Sequence, residues 1–514
     1  MSARALMILG TGSHVGKSIL TTALCRIFSD EGYRVAPFKA QNMSLNSAAT
    51  PDGREIGRAQ ALQAEACRIA PTSAMNPILI KPSCDTSAQI VVLGKVWGQA
   101  SAADYHQRRV EELFPVVIDA YHQLAAEHDI VVIEGAGSPA EINLKAHDIV
   151  NMRMAKAAGA ECLLVGDIDR GGVFASLLGT VELLDPEERA MLRGFIVNKF
   201  RGDVSLLQPG IEMIARRIQL PCAGLVPYLP NLGLDEEDSV ALEYRRTARR
   251  AWEPCDDGPG RRLRIGVIAF PYLSNFTDFD ALAAEPSVAL AFLDDPTDVP
   301  KADLLILPGS KQTLDDLAWL RRLGFEREVQ NFPGCAGIIG ICGGMQMLGR
   351  SIEDPDGAES NGAPRSALGL DLLPIATKLQ REKVTRVVQG RAAFAAPRFH
   401  GYEIHLGETV YLDDAQPFAE IQRAGDAEWR RDGAIADGGR VIGTYAHGLF
   451  NADAFRHSLL AAARRACSLE PANQWACVTA EREQRIDRLA DHVRQSIDMN
   501  LIRDCLGIQL GVQS

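Results

Sequence analysis

Short apolar runs ending in Gly, Asp, Asn or Glu recur through the first half of the chain, at 5–9, 35–38, 130–133, 162–165 and 195–197. Runs of this length, closed by turn-forming or acidic residues, are the pattern of strands buried on both faces. Longer stretches with apolar residues at helical spacing lie between them, at 18–31 and 105–127, and Gly32 stops the first. The alternation predicts a mostly parallel sheet with helices on both faces. At 244–262 the pattern fails: charged residues, Pro and Gly follow one another without a period. Apolar runs resume at 265–269, 304–307, 337–341 and 441–444, while 275–280 and 350–365 read as loops. The expected fold is therefore α/β, with two doubly wound, mostly parallel sheet domains. The expected division is a first domain at 1–243, a linker at 244–262 and a second domain at 263–514 with its core at about 263–460.

Composition narrows the class. Of 514 residues 46% are apolar and 23% charged, enough for large cores and too apolar for a disordered chain. The net charge of −12 argues against a nucleic-acid or membrane-surface binder. No stretch of about 18 uncharged apolar residues is present, so no membrane span is expected. The opening residues run straight into a glycine loop without the apolar core of a signal peptide, which points to the cytoplasm. Eleven cysteines without a Cys-x-x-Cys pair read as reduced thiols and no structural zinc.

Candidate chemistry begins after the first strand, in Gly10-Thr11-Gly12-Ser13-His14-Val15-Gly16-Lys17-Ser18. Backbone N–H groups of Thr11, Gly12, Val15 and Gly16 can converge on phosphate oxygens, Lys17 neutralises charge and Ser18 can hold Mg²⁺. Thr11 stands where the usual pattern has its first glycine, and Gly10 lies one residue further out. Such a site needs an acid for its metal, and Glu134, ending a strand before Gly-Ala-Gly, is the leading partner. Asp167 and Asp169 also follow a strand, and serve equally well as turn residues. Asn198-Lys199 after another strand resembles the base-recognising ends of nucleotide-binding folds.

In the second half, Gly340-Ile341-Cys342-Gly343-Gly344-Met345-Gln346 puts a cysteine between a strand and a glycine turn that opens a helix. Small neighbours permit the strained turn, and the helix N-terminus favours thiolate. His447, just beyond a late strand, is the natural acid and base. His400 and His405 are rivals set down as substrate-side or structural. Gly309, in Pro308-Gly309-Ser310, and Gly343 can each give a backbone N–H to an oxyanion.

Cys342 with its glycines, Gly309 and His447 together resemble class I glutamine amidotransferases, over about 262–460. Most of that class has a Glu two residues after the histidine, where this chain has Leu449; the departure matches the cobalamin-pathway branch. It leaves the third group open between Glu403, Asp278 and a Cys-His dyad. Gly10 to Ser18 with Glu134-Gly-Ala-Gly resembles the dethiobiotin synthetase type of P-loop enzyme. The two halves in this order resemble the corrin-amidating enzymes, and three further segments are similar to the cobyric acid branch of them. These run from Phe38-Lys39-Ala40-Gln41-Asn42 to Ser47, from Asp167 to Phe174 and from Asn198 to Asp203.

That resemblance implies ATP- and glutamine-dependent amidation of the four b, d, e and g carboxylates of adenosylcobyrinic acid a,c-diamide through acyl phosphates. Ammonia would come from glutamine at Cys342. It implies ATP and Mg²⁺ as cofactors, and L-glutamine and a corrinoid as partners. It sets Asn198 with the nucleotide, Lys39, Gln41 and Asn42 at the transferred phosphate or carboxylate, and Gln346 at glutamine. Arg170 and Arg201 are alternatives for gripping an anionic corrin, and a homo-oligomer is left open. The competing readings are an a,c-diamide synthase and, from another class, a P-loop ATPase with an inactive amidotransferase module.

Overall fold

The computed structural model describes residues 3–508, except for 85–86, 102–104, 106–108, 231, 235–251, 253–257, 360–361 and 394–396. Most of the expected linker, 244–262, lies outside the described residues.

The first half carries a six-stranded sheet in the spatial order Cys222–Pro227, Leu192–Phe200, Glu161–Asp167, Arg4–Gly10, Ile130–Glu134, Val35–Phe38. Every neighbouring pair in it is parallel. Alternate residues of Arg4–Gly10 feed different cores: Met7 and Leu9 join one apolar cluster, Leu6 and Ile8 another. This alternation makes the strand read as a continuous apolar run. A smaller sheet of Gln41–Met43, Ile78–Cys84, Ser87–Val92 and Lys95–Ser101 stands beside it, with the short hairpin Ser47–Ala49 and Glu55–Gly57.

The second six-stranded sheet runs Val288–Leu293, Leu263–Ile268, Leu304–Leu307, Gly337–Ile341, Val441–Thr444, Ala434–Ala436. Only the last pair is antiparallel. The long antiparallel strands Ile375–Ala392 and Arg398–Tyr411 form the centre of a further sheet, to which Ala446–His447 is joined at Tyr402 and Glu403. No helix among the described residues is long and apolar enough to cross a membrane.

Two expectations need correction. The tail, expected in the second unit, instead packs its helices Val478–Ser496 and Met499–Leu506 on the first sheet. There Leu489, Val493 and Ile502 share a core with Leu6, Leu24 and Val132. Arg26 to Glu483, at 2.6 Å, and Arg482 to Glu65, at 2.7 Å, tie the same tail to the first half. Amphipathic spacing shows that a helix has an apolar face, without showing which sheet covers it. The reading of uniformly reduced thiols is also overturned: Cys335 and Cys467 form a disulfide, with Cα atoms 5.1 Å apart across 132 residues of sequence. Such a pair leaves no local spacing signal.

Candidate active site

The helix Lys17–Asp30 starts directly after the glycine loop, with Gly16 at φ 99°. A Cβ there would stand 2.1 Å from Asn198 Nδ2, so the position needs glycine for both conformation and space. Asn198 donates to the Val15 carbonyl at 2.9 Å, and Lys199 donates to His14 O at 2.6 Å and to Asp167 at 2.9 Å. The loop is thus braced from the strand end that carries Asn198. Lys17 Nζ donates to the carbonyls of Gly12 at 2.8 Å and Gly137 at 3.0 Å.

Glu134 is the centre of this half. It is 1% exposed, and its Oε1 accepts from Ser18 Oγ and from Lys39 Nζ, each at 2.8 Å. Its Oε2 accepts from Gln63 Nε2 at 2.6 Å. Gln63 was not foreseen; the only local signal was Gln60 and Gln63 spaced one turn apart on a helix of mostly small residues. Gln63 Oε1 and Gln60 Nε2 are buried without a hydrogen-bond partner among the described residues.

Gln41 and Asn42 are less direct. Gln41 accepts from Tyr105 OH at 2.5 Å, and Asn42 donates to Gln60 at 3.1 Å. Gln41 does line a cavity of about 1000 Å³ together with Gly137, Ser138, Asn151 and Arg153. Asp169 pairs with Arg201, whose guanidinium lies 3.6 Å from the Tyr228 ring centroid, and Arg170 is exposed.

This donor set fits Mg²⁺ and a nucleotide triphosphate. A hydroxyl beside a buried carboxylate, with a spare amide oxygen near it, supplies the hard oxygen ligands Mg²⁺ takes. The glycine turn leads into a helix N-terminus, where backbone N–H groups favour phosphate.

In the second half Cys342 sits at φ 50°, ψ −110°, between the strand Gly337–Ile341 and the helix Gly343–Leu348. A non-glycine residue in that region is strained, as at the nucleophile elbow of hydrolases. The turn is so tight that a Cβ on Gly344 would stand 2.0 Å from Leu307 O, and one on Gly343 would stand 3.0 Å from Ser310 N. The Pro308-Gly309-Ser310 turn therefore lies against the elbow. A Cβ on Gly309 would meet His447 Cε1 at 3.0 Å.

His447 is fully buried, and its Nδ1 bonds the Asp278 carboxylate at 2.7 Å. Asp278 also accepts from the Gly448 N–H at 2.9 Å, so both partners are held in place. Of the two carboxylates considered, Asp278 is the one that reaches the histidine. Glu403 instead pairs with Arg423 at 2.7 Å and His405 at 3.2 Å. Burial pushes the Glu403 carboxyl up, but hydrogen bonds from His405 and Arg423 hold it at about 2. Burial also pulls the His447 imidazolium down, yet the Asp278 carboxylate and the hydrogen-bonded Cys342 outweigh it and raise its pKa to about 10. A Cys-His-Asp relay of this kind suits acyl transfer.

Gln346 is buried beside the relay. Its Oε1 accepts from Thr313 Oγ1 at 3.3 Å and its Nε2 donates to Tyr445 OH at 3.2 Å. Thr313 also bonds Glu359 through its N–H at 2.7 Å, and burial raises Glu359 to about 7. Tyr445 and Gly407 border a second cavity of about 790 Å³. His405 stacks on Tyr445 at 3.8 Å and His400 is exposed, so neither joins the relay. Thr313, Glu359 and Tyr445 were missed because nothing in their local sequence marks them.

Residues 6–240 match the CobQ/CobB/MinD/ParA nucleotide binding domain family, and residues 264–455 match the CobB/CobQ-like glutamine amidotransferase domain family. The chain is 47% identical to the cobyric acid synthase of Moorella thermoacetica, over 99% of this chain and 98% of that one. The corresponding figures are 48%, 99% and 99% for that of Sorangium cellulosum, and 45%, 98% and 99% for that of Syntrophobacter fumaroxidans. The chain belongs to the cobyric acid synthase family, enzymes of cobalamin biosynthesis.

Proposed function

We propose that the chain catalyses ATP- and glutamine-dependent amidation of the b, d, e and g carboxylates of adenosylcobyrinic acid a,c-diamide, yielding adenosylcobyric acid. The observation that carries this reading is the pairing, on one chain, of the Cys342–His447–Asp278 relay with the Lys17–Ser18–Lys39–Glu134 cluster. One set is built to cut an amide and the other to hold a phosphate.

Cys342 attacks the glutamine side-chain amide while the N–H groups of Gly309 and Gly343 take the oxyanion. His447 gives its proton to the departing ammonia, and water then releases glutamate from the thioester. Gln346 orients glutamine. In the other half Lys17 and the loop amides of Thr11, Gly12, Val15 and Gly16 hold the triphosphate, and Asn198 braces the loop. Ser18 and Glu134 would hold Mg²⁺, which neutralises phosphate charge. Lys39 faces the transferred phosphate, with Gln41 and Asn42 on the carboxylate side. Activation as an acyl phosphate replaces hydroxide by phosphate as the group that ammonia displaces. The protein works in the cytoplasm on L-glutamine and a corrinoid, without nucleic acid or membrane.

The test is mass spectrometry after incubation with adenosylcobyrinic acid a,c-diamide, Mg²⁺, ATP and amide-labelled glutamine. Four labelled amides are expected. Two amides on cobyrinic acid and none on the diamide would make the chain an a,c-diamide synthase instead, and ATP turnover with no amide on either would remove the ligase reading.

A further inference from the structure

The imidazole of His447 is enclosed by two groups that the chemistry above leaves unused. Tyr402 stacks on it, with ring centroids 5.4 Å apart and an interplanar angle of 18°. Asn275 Nδ2 stands 3.5 Å from Nδ1 and 3.4 Å from Nε2. Nδ1 is engaged in the ring plane by Asp278, and an in-plane approach equidistant from both nitrogens would drive the amide into Cε1–H. The Asn275 amide therefore lies over the ring face.

The other domain turns that amide. Asn275 Oδ1 accepts the Ser47 N–H at 3.1 Å, so the NH₂ end is the one that faces the imidazole. The next residue is held the same way, Phe276 N–H donating to Asn46 Oδ1 at 3.1 Å. Tyr402 rests on the same short strand: Ala49 packs against Tyr402 and Ile404, and the Ile404 carbonyl accepts the Cys342 thiol at 3.6 Å. Glu55, on the partner strand of that hairpin, accepts from Ser47 Oγ at 2.8 Å and from Lys383 of the second half at 2.6 Å. The strand Ser47–Ala49 thus supports both of these neighbours of His447, and it continues the segment that begins with Lys39.

We infer that Asn275 is a positioning residue for His447, seated by Asn46 and Ser47, and that through it the nucleotide-binding half sets the competence of the Cys342 site. This deepens the proposed function and rests on glutamine hydrolysis at Cys342. The physical role follows from the orientation. An N–H edge over the ring opposes the pull of Asp278 on the imidazolium, which eases proton delivery from His447 to the leaving ammonia. Asn275 also sits at φ 53°, where Asn is favoured for backbone reasons alone, so the test must separate the two roles.

Asn275→Gly keeps the left-handed backbone and removes the amide. Asn275→Asp keeps the shape and the Ser47 contact but turns a carboxylate oxygen to the ring. With the full chain, glutamine hydrolysis is measured alone and with ATP, Mg²⁺ and the corrin, and amidation is also measured with ammonium chloride as nitrogen source. Both variants should lose about tenfold in kcat for glutamine hydrolysis with KM within about twofold, and keep ammonium-supported amidation within about twofold. Glutamine hydrolysis by the wild type should rise when ATP and corrin are added and rise less in Asn46→Ala; an equal rise in the two would overturn the coupling of the halves. Wild-type kcat in Asn275→Gly, or in Asn275→Asp, would overturn the inference, as would parallel loss of ammonium-supported amidation. Absence of glutamine hydrolysis in the wild type would instead remove the reading on which it rests.

Discussion

Cys342, His447 and Asp278 are joined in the order in which a proton would move, whereas Lys17, Ser18, Lys39 and Glu134 are engaged in contacts that a bound phosphate and its metal would replace. In the first set a buried carboxylate holds a buried imidazole, and the thiol lies against it. In the second, Lys17 binds two carbonyls while Lys39 and Ser18 share one oxygen of Glu134. The difference follows from the substrates. Glutamine is neutral at its reacting amide, so the groups of its site can stay bonded to one another without a counter-charge to wait for. A triphosphate brings several charges, and unpaired lysines waiting for it inside the fold would be costly.

The largest expected effect breaks one site and spares the other. Cys342→Ala should lower glutamine-dependent amidation by at least about 10³-fold while ammonium-supported amidation stays within about twofold. Loss of both activities would mean that the two sites are not separable. Asp278→Asn leaves the relay's shape but not its charge, and glutamine hydrolysis should fall about 10³-fold. Stability should follow pH with a defined sign. The His447 pKa, raised to about 10, stabilises the fold fully below its unfolded value of about 6.5, and the contribution is lost as pH rises through about 10. The gap in melting temperature between wild type and Asp278→Asn should therefore be widest at acidic to neutral pH and close towards pH 10.

Glu134→Gln sharpens the comparison from the other side. It should lower amidation from glutamine and from ammonium alike, by about 10²-fold. Basal glutamine hydrolysis should change little. The smallest effect is expected at Cys335→Ser, which removes the disulfide and should lower stability by about 2–4 kcal/mol, seen as a lower melting temperature, without altering either rate.

What could be read from the sequence follows burial. Strands covered on both faces, such as Arg4–Gly10 and Gly337–Ile341, are near-continuous apolar runs and were placed within a residue or two. The edge strand Cys222–Pro227 has a mixed burial pattern and passed unnoticed. The strands Ile375–Ala392 and Arg398–Tyr411 did too, because exposed charged residues interrupt their buried positions and leave no long apolar run. Cys342, Lys17 and Ser18 were legible because tight turns force glycine around them. Asp278 remained one of several alternatives since it lies 169 residues from the histidine it orients. Gln63, Tyr445 and Asn275 matter only through contacts made in three dimensions, and Asn275 does so across the two halves of the chain.

The central claim is that one chain makes ammonia at Cys342 and consumes it at the Glu134 site. The most direct measurement is the isotope content of the new amides when amide-labelled glutamine competes with an excess of unlabelled ammonium chloride. The account predicts that the amides keep the glutamine label. Amides that carry none of the glutamine label would contradict it, since their nitrogen would then come from solution alone and not from Cys342.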